Sequence, residues 1–140
     1  MILYDKYGLL QVAYRPAGGY ILFDWTSFMV SLEEIQQAHR SALAGAQQHD
    51  CWFYLANTSK VRTVLRPEIL EWWGKTWIHE LATAGLRAIV TVVPAGAIAT
   101  LSARAWQAEV TSGIVMQNTK SFDEAEAAIQ QLRAASTAGS

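Results

Sequence analysis

The sequence predicts a single-domain α/β protein in which helices pack on a mixed sheet of four or five strands. Three observations predict it: a hairpin pattern at residues 9–26, two short apolar runs at residues 51–56 and 86–93, and helical stripes between and after them. An N-terminal antiparallel hairpin followed by alternating helices and strands, with four helices in all, favours such a sheet with right-handed crossovers. The domain is expected to span residues 1–133. Residues 134–140, which are only Ala, Ser, Thr and Gly, are expected to form a flexible tail.

The first half of the chain contains the hairpin and one helix. Aromatic and β-branched runs at residues 9–14 and 20–26 flank an Arg-Pro-Ala-Gly-Gly turn, and residues 2–5 are expected to add a short strand. Ser31 and Glu34 have the spacing of a capping box, which satisfies free N–H groups at a helix start. An apolar stripe at helical spacing follows, comprising Leu32, Ile35, His39, Ala42, Leu43 and Ala46.

The second half alternates more regularly. The continuously apolar runs at 51–56 and 86–93 are typical of strands buried on both faces. Between them, Pro67 suits a helix start and Gly85 suits a helix end, which predicts a helix over residues 67–84. A third helical stripe is predicted at Ile98, Leu101, Ala105 and Ala108. A strand at 113–117 and a helix capped by Ser121 and Glu124 complete the order.

Composition narrows the function classes. The 140 residues are 51% hydrophobic and 16% charged, which excludes disorder as the main state. A net charge of −1 argues against a nucleic-acid binder driven by bulk charge. The single Cys51 cannot form an internal disulfide, no signal-peptide pattern opens the chain, and no apolar stretch reaches the about 20 residues of a membrane span. We therefore expect a cytoplasmic protein without a transmembrane segment.

The order and spacing of several segments resemble the STAS domain, and more closely the small SpoIIAA-like proteins of bacteria. The resemblance covers residues 9–132 and rests on Phe-Asp-Trp at 23–25, Ser-Leu-Glu-Glu at 31–34, Trp-Phe-Tyr-Leu-Ala-Asn-Thr at 52–58 and Arg-Pro-Glu at 66–68. Ala-Gly-Leu-Arg at 84–87, Val-Val-Pro at 92–94 and Ser-Phe-Asp-Glu-Ala at 121–125 complete it. It implies a regulatory module that acts through protein–protein contact.

The sequence departs from this family at the position of its regulatory switch. Anti-sigma-factor antagonists carry a phosphorylatable Ser, often after Asp, where this chain reads Val-Leu-Arg-Pro-Glu at 64–68. The phosphorylation switch therefore does not carry over. Many relatives also have an acidic residue where this chain has Ala56-Asn57.

The loop at 57–66 is the most informative segment for function. It is expected to leave the carboxyl end of a central strand, where open α/β sheets place ligands, and to lead into a helix N-terminus that favours anions. The leading hypothesis is a non-catalytic module that contacts a protein partner or a second copy of the chain. The alternative is a site for a small anion or a lipid; a solvated loop whose hydroxyls cap turns remains open as well. The predicted binding residues are Asn57, Thr58, Ser59, Lys60, Arg62, Arg66 and Trp72, with Ser59, Thr58 and Thr63 as candidate phosphorylation positions.

Side chains outside the loop carry weaker signals. Trp72 lies opposite the predicted core stripe of its helix and Trp106 lies off its own stripe, so either is a candidate partner anchor. His39 is interpreted as a core residue with one satisfied hydrogen bond; a hydrolase that uses His39 and Asp24 lacks an identifiable nucleophile. Cys51 is interpreted as a small apolar filler. The histidines show no metal-site spacing, and no phosphate-binding or dinucleotide fingerprint indicates a cofactor.

Overall fold

The computed structural model describes residues 1–93 and 113–138. Six strands form one mixed sheet in which each strand pairs with its neighbour in the chain. They are β1 (Ile2–Lys6), β2 (Leu10–Arg15), β3 (Tyr20–Trp25), β4 (Phe53–Asn57), β5 (Ala88–Val92) and β6 (Val115–Thr119). The first three strands are antiparallel, and β3 to β6 run parallel.

Three helices accompany the sheet in the described part of the chain. Helix α1 is Leu32–His49, and helix α3 is Phe122–Ala138. Helix α2 has three consecutive segments: an α-helical Pro67–Trp72, a π-helical turn Trp73–Trp77 and an α-helical Ile78–Ala84. The α/β class and the mixed sheet are confirmed. The predicted strand number is wrong, because β1 and β6 both join the sheet and bring the total within residues 1–93 and 113–138 to six.

Two further predictions concern a helix and the C-terminal tail. The predicted helix at residues 98–108, with Trp106, lies outside the described residues. Helix α3 continues to Ala138, so helix occupies residues 134–138, where the sequence predicts a flexible tail.

The helix ends follow the sequence signals. Ser31 Oγ accepts a hydrogen bond from Glu34 N at 3.1 Å, and Glu34 Oε1 accepts one from Ser31 N at 2.9 Å, which completes the predicted capping box. Gly85 ends α2 at φ 109°, in the left-handed region that favours glycine. At the start of α3, Ser121 Oγ accepts from Glu124 N, but the Glu124 carboxylate instead accepts from Lys120 N.

The sheet separates two apolar cores. Helices α1 and α2 pack on one face, against alternate strand residues such as Ile21, Phe23 and Tyr54. Helix α3 packs on the other face, where Ala125, Ala128 and Ile129 contact a set made of Tyr20, Leu22, Leu55, Val90 and Val92. The polar ends of the parallel strands lie outside both cores.

Replacing Ser31 by Ala removes half of the capping box. We expect Ser31→Ala to lower the free energy of unfolding by about 1 kcal/mol, because the N–H of Glu34 loses its acceptor. Urea unfolding measures the change. Ser41→Ala, the same substitution inside α1, is the control and is expected to be neutral or slightly stabilising. Equal effects of the two substitutions would contradict a capping role for Ser31.

Candidate functional site

The loop at residues 57–66 lies at the carboxyl end of β4 and leads into α2, as the sequence predicts. Its first residue, Asn57, is also the last residue of β4 and pairs in register with Asp24 of β3. Asn57 Oδ1 accepts hydrogen bonds from Ser59 Oγ at 2.7 Å and Ser59 N at 3.2 Å, and Asn57 Nδ2 donates to Asp24 Oδ1 at 3.4 Å. Asn57 therefore shapes the turn that opens the loop.

Thr58 anchors the loop to the neighbouring strand. Its side chain is 2% exposed, and its Oγ1 donates a hydrogen bond to the carbonyl of Val92 at 2.6 Å. The N–H of Thr58 donates to the same carbonyl at 3.1 Å. Among the candidate phosphorylation positions, Thr58 is thus a buried structural residue whose hydroxyl is already bonded.

Thr63 joins the loop to the segment before α1. Thr63 Oγ1 accepts from Phe28 N at 2.8 Å and lies 3.4 Å from Ser27 Oγ. Thr63 and Ser59 are both half-buried, and each hydroxyl has a partner within the protein. These contacts hold the loop in one shape.

The three cations of the loop are exposed. Arg62 Nη1 makes long contacts of 3.5 Å with Ser59 O and 3.4 Å with Val61 O, and Arg66 lies 3.9 Å from Glu68. Lys60 is exposed at the tip. The structure therefore brings Asn57, Thr58 and Ser59 together as a support and presents Lys60, Arg62 and Arg66 to solvent.

Trp72 makes its ring contacts with core side chains, His39 and Trp77. Trp72 is half-buried and stacks on Trp77, with ring centroids 5.1 Å apart and planes at 24°. An ideal α-helix would set residues five apart at roughly 140° to each other, but the π turn closes with an i to i+5 hydrogen bond from Ile78 N–H to Trp73 O. The π turn therefore brings Trp72 to the edge of the core, which corrects the predicted placement opposite the core stripe.

His39 is the core residue that its position predicts, with 2% exposure. Its Nε2 lies 2.9 Å from Glu80 Oε2, and its ring makes edge contacts with Trp72 and Trp77. Burial lowers the pKa of the imidazole, while Glu80 opposes that shift and Arg40 adds to it. The carboxylate beside His39 is thus Glu80 rather than Asp24. Sequence reasoning missed this pair because the two residues lie 41 positions apart on different helices.

Neither a metal cluster nor a spanning helix is found in the described residues. Within residues 1–93 and 113–138, no group of three or more His, Cys, Asp or Glu side chains could hold a metal ion. In the same ranges, no helix is long and apolar enough to cross a membrane. Cys51 is buried, as the sequence predicts for an apolar filler, but it lies two residues before β4 and not at the start of a strand; burial raises the pKa of its thiol.

Removing the Thr58 hydroxyl tests the anchor of the loop. We expect Thr58→Val, which keeps the shape of the side chain, to lower the free energy of unfolding by about 1 kcal/mol through loss of the bond to Val92 O. Thr58→Ser keeps the hydroxyl, and its free energy of unfolding is expected to fall by less than that of Thr58→Val. Thermal and urea unfolding provide the comparison, and a Thr58→Ser variant less stable than Thr58→Val would contradict the anchor.

The pair of His39 and Glu80 predicts a pH dependence. Because the folded protein holds the pKa of His39 below its unfolded value of about 6.5, stability is fully present above that pH and falls as the pH drops through it. Glu80→Gln removes the group that raises this pKa. We expect this variant to lose more of its free energy of unfolding between pH 7.5 and pH 5 than the wild type does.

Glu71→Gln is the control for that measurement. It also removes an exposed carboxylate from α2, in this case one that is paired with Lys75. Its loss between pH 7.5 and pH 5 is expected to match the wild type. If Glu80→Gln also matches the wild type, Glu80 does not set the protonation of His39.

Comparison with known proteins found no matching family model, no matching curated protein and no matching solved structure. The STAS resemblance therefore stays a prediction from residue order and spacing. The geometry of the loop and the chemistry of its side chains are the remaining guides to function.

Proposed function

We propose that this chain is a non-catalytic, STAS-like interaction module that docks an acidic protein partner on the surface formed by residues 57–66 and Met29. We call this surface the basic loop surface. Three features support the proposal: an exposed apolar pair, a surrounding set of cations, and a network of hydrogen bonds that fixes the loop. The exposed apolar pair carries it, because exposed apolar side chains beside charged ones are typical of a surface that binds a protein partner.

The apolar pair consists of Met29 and Val64. Met29 is 53% exposed and Val64 is 47% exposed. Met29 directly follows Phe28, and Val64 directly follows Thr63. The hydrogen bond from Phe28 N to Thr63 Oγ1 holds these two segments of the chain together. An apolar centre with a charged rim is the usual anatomy of a protein interface.

The rim is basic. Lys60, Arg62 and Arg66 place three positive charges on a segment of a chain whose net charge is −1. Glu68 lies within ion-pair distance of Arg66, but both side chains are about half exposed, so water screens the pair. Charge complementarity therefore favours an acidic partner, and steering by these cations would speed its association.

The loop is preformed for docking. Thr58 is bonded to Val92, Ser59 to Asn57, and Thr63 to Phe28. A partner would therefore find the loop already ordered, and association would lose little conformational entropy. Preorganisation of this kind is typical of a recognition surface.

The residues at the start of α2 make a small-anion site there less favourable than a protein-binding surface. Glu68 lies in the first turn of the helix, where its negative charge opposes the binding of an anion at the positive end of the helix dipole. The Arg66 side chain makes no capping hydrogen bond there. A protein partner that uses the exposed side chains does not need the N–H groups at the start of the helix.

A peptide-display experiment tests the proposal without knowledge of the natural partner. A library of random 16-residue peptides is panned against the purified protein, and the enriched peptides are measured by calorimetry. We expect peptides that combine Asp or Glu with large apolar residues. Their binding should weaken at least tenfold in Lys60→Glu/Arg62→Glu and in Val64→Ser, and it should weaken as NaCl is raised.

The control is Arg15→Glu/Arg40→Glu, which makes the same change in net charge on exposed residues outside the basic loop surface. It should bind the peptides as the wild type does. No enrichment, or equal loss in both charge-reversed variants, would overturn the proposal. A rise in melting temperature with inorganic phosphate that Lys60→Glu/Arg62→Glu abolishes would instead support the small-anion alternative.

A further inference from the structure

A polar concavity lies at the amino end of the parallel strands, opposite the basic loop surface. Its volume is about 420 Å³, within the usual range for a small-molecule site. It is formed by the turn between β2 and β3, the end of α1, the residues that precede β4 and β5, and one side chain of α3. The lining residues are Tyr14, Pro16, Gly19, His49, Asp50, Cys51, Trp52, Phe53, Arg87 and Arg133. We call this space the amino-end cavity.

The charges of the amino-end cavity favour an anion. Arg87 and Arg133 come from distant parts of the chain and line the same space, whereas Asp50 is the one acidic residue among the described residues of the lining. Asp50 Oδ1 accepts a hydrogen bond from Trp52 Nε1 at 2.7 Å, so this carboxylate is engaged with the wall. The fixed charges of Arg87, Arg133 and Asp50 therefore sum to +1.

The backbone holds both arginines in place. Arg133 Nη1 donates to Gly18 O at 2.9 Å and lies 3.3 Å from Gln130 Oε1. The guanidinium lies directly against Gly19, where a Cβ atom would come within 2.4 Å of Arg133 Cζ. Arg87 is fixed through its main chain, which donates to Trp52 O at 2.9 Å and accepts from Val115 N at 3.0 Å.

Glycine suits position 19 for two reasons. Its φ of 69° lies in the left-handed region, and its missing side chain leaves room for the guanidinium. A guanidinium that the fold positions in advance, as it does that of Arg133, lowers the entropy lost when an anion binds. Bidentate pairing with carboxylate or phosphate oxygens is the characteristic contact of such groups.

The remaining walls are aromatic. Tyr14 and His49 stack with ring centroids 4.1 Å apart and planes at 12°. The stacked rings of Tyr14 and His49 thus form part of the cavity wall. Half-buried Trp52 is held by Asp50. Flat aromatic rings beside two cations offer a planar organic anion a stacking contact that an inorganic ion cannot make.

The side chains of the amino-end cavity support ligand binding, and its one thiol is a poor nucleophile. Cys51 lines it but is 5% exposed, and burial raises the pKa of the thiol, although the nearby Arg133 charge opposes that shift. The thiol therefore stays protonated and weakly nucleophilic at neutral pH. No group-transfer step is supported by the arrangement.

We propose that the amino-end cavity binds a small planar organic anion, a carboxylate or a phosphate monoester, whose acidic group pairs with Arg87 and Arg133. This site is separate from the basic loop surface, and its occupancy does not depend on the function proposed for that surface.

Calorimetry and thermal shift with four probes test the site: benzoate, phenyl phosphate, inorganic phosphate and benzyl alcohol. Benzoate or phenyl phosphate is expected to bind and to raise the melting temperature, and the stronger of the two identifies the acidic group. Inorganic phosphate is expected to bind more weakly than phenyl phosphate, and benzyl alcohol is expected not to bind. Indole N–H signals observed by NMR should include Trp52 among those that shift on titration.

Arg87→Gln is the informative variant, because the guanidinium is removed while the main-chain bonds of residue 87 are kept. We expect it to weaken binding of the stronger probe at least tenfold. Arg133→Lys is a second variant that keeps the charge but loses the planar fork, and it should also weaken binding. Arg62→Gln, on the basic loop surface, is the matched control and should bind as the wild type does.

Three outcomes would overturn the inference. The first is that neither aromatic anion binds. The second is that Arg87→Gln binds the stronger probe as tightly as the wild type does. The third is that Arg62→Gln loses binding as strongly as Arg87→Gln does, which would place the anion at the basic loop surface instead.

Discussion

The architecture depends on one constraint: the central strands β3, β4 and β5 are apolar on both faces. Side chains alternate along each strand, so the row of Ile21, Tyr54 and Ile89 meets one core and the row of Leu22, Leu55 and Val90 meets the other. Neither row is stable in water, and an all-parallel arrangement of this kind needs helices on both sides. Helices α1 and α2 cover one face, and α3 covers the other.

This constraint confines polar chemistry to the two ends of the strands. At the carboxyl end, the side chains of Asn57, Thr58 and Thr63 support a loop that projects cations and apolar side chains outwards. At the amino end, Arg87 and Arg133 line a concavity instead. One end therefore presents a projecting loop, and the other end encloses a concavity. The two features arise from the same sheet but use different physical means of recognition.

The local parts of this arrangement could be predicted from the sequence. Ser31 and Glu34 revealed a helix start because both halves of the capping box lie within four residues, and Gly85 revealed a helix end because its backbone conformation is costly for other residues. The apolar runs before Asn57 and Pro94 revealed buried strands through their composition. The position of the loop at 57–66 followed from the order of these elements.

The non-local parts could not be predicted. Periodicity assumes 3.6 residues per turn, so the π turn at Trp73–Trp77 reversed the side on which Trp72 was expected. Glu80 reaches His39 only because α1 and α2 share one face of the sheet. The amino-end cavity collects residues from Tyr14 to Arg133, and no short motif marks such a set. The hydrogen bonds of Thr58 and Thr63 likewise required knowledge of which segments meet.

The packing of α3 on the earlier strands has a consequence for synthesis of the chain on the ribosome. Tyr20, Leu22 and Leu55 are made well before Ala125 and Ile129, which bury them. At about 5–20 residues per second, the growing chain spends several seconds with this face lacking the cover of α3. The hydrogen bond from Arg133 to Gly18 then joins α3 to the turn between β2 and β3. Chaperones that bind apolar surface would therefore meet this protein mainly as a nascent chain, in the interval before α3 emerges.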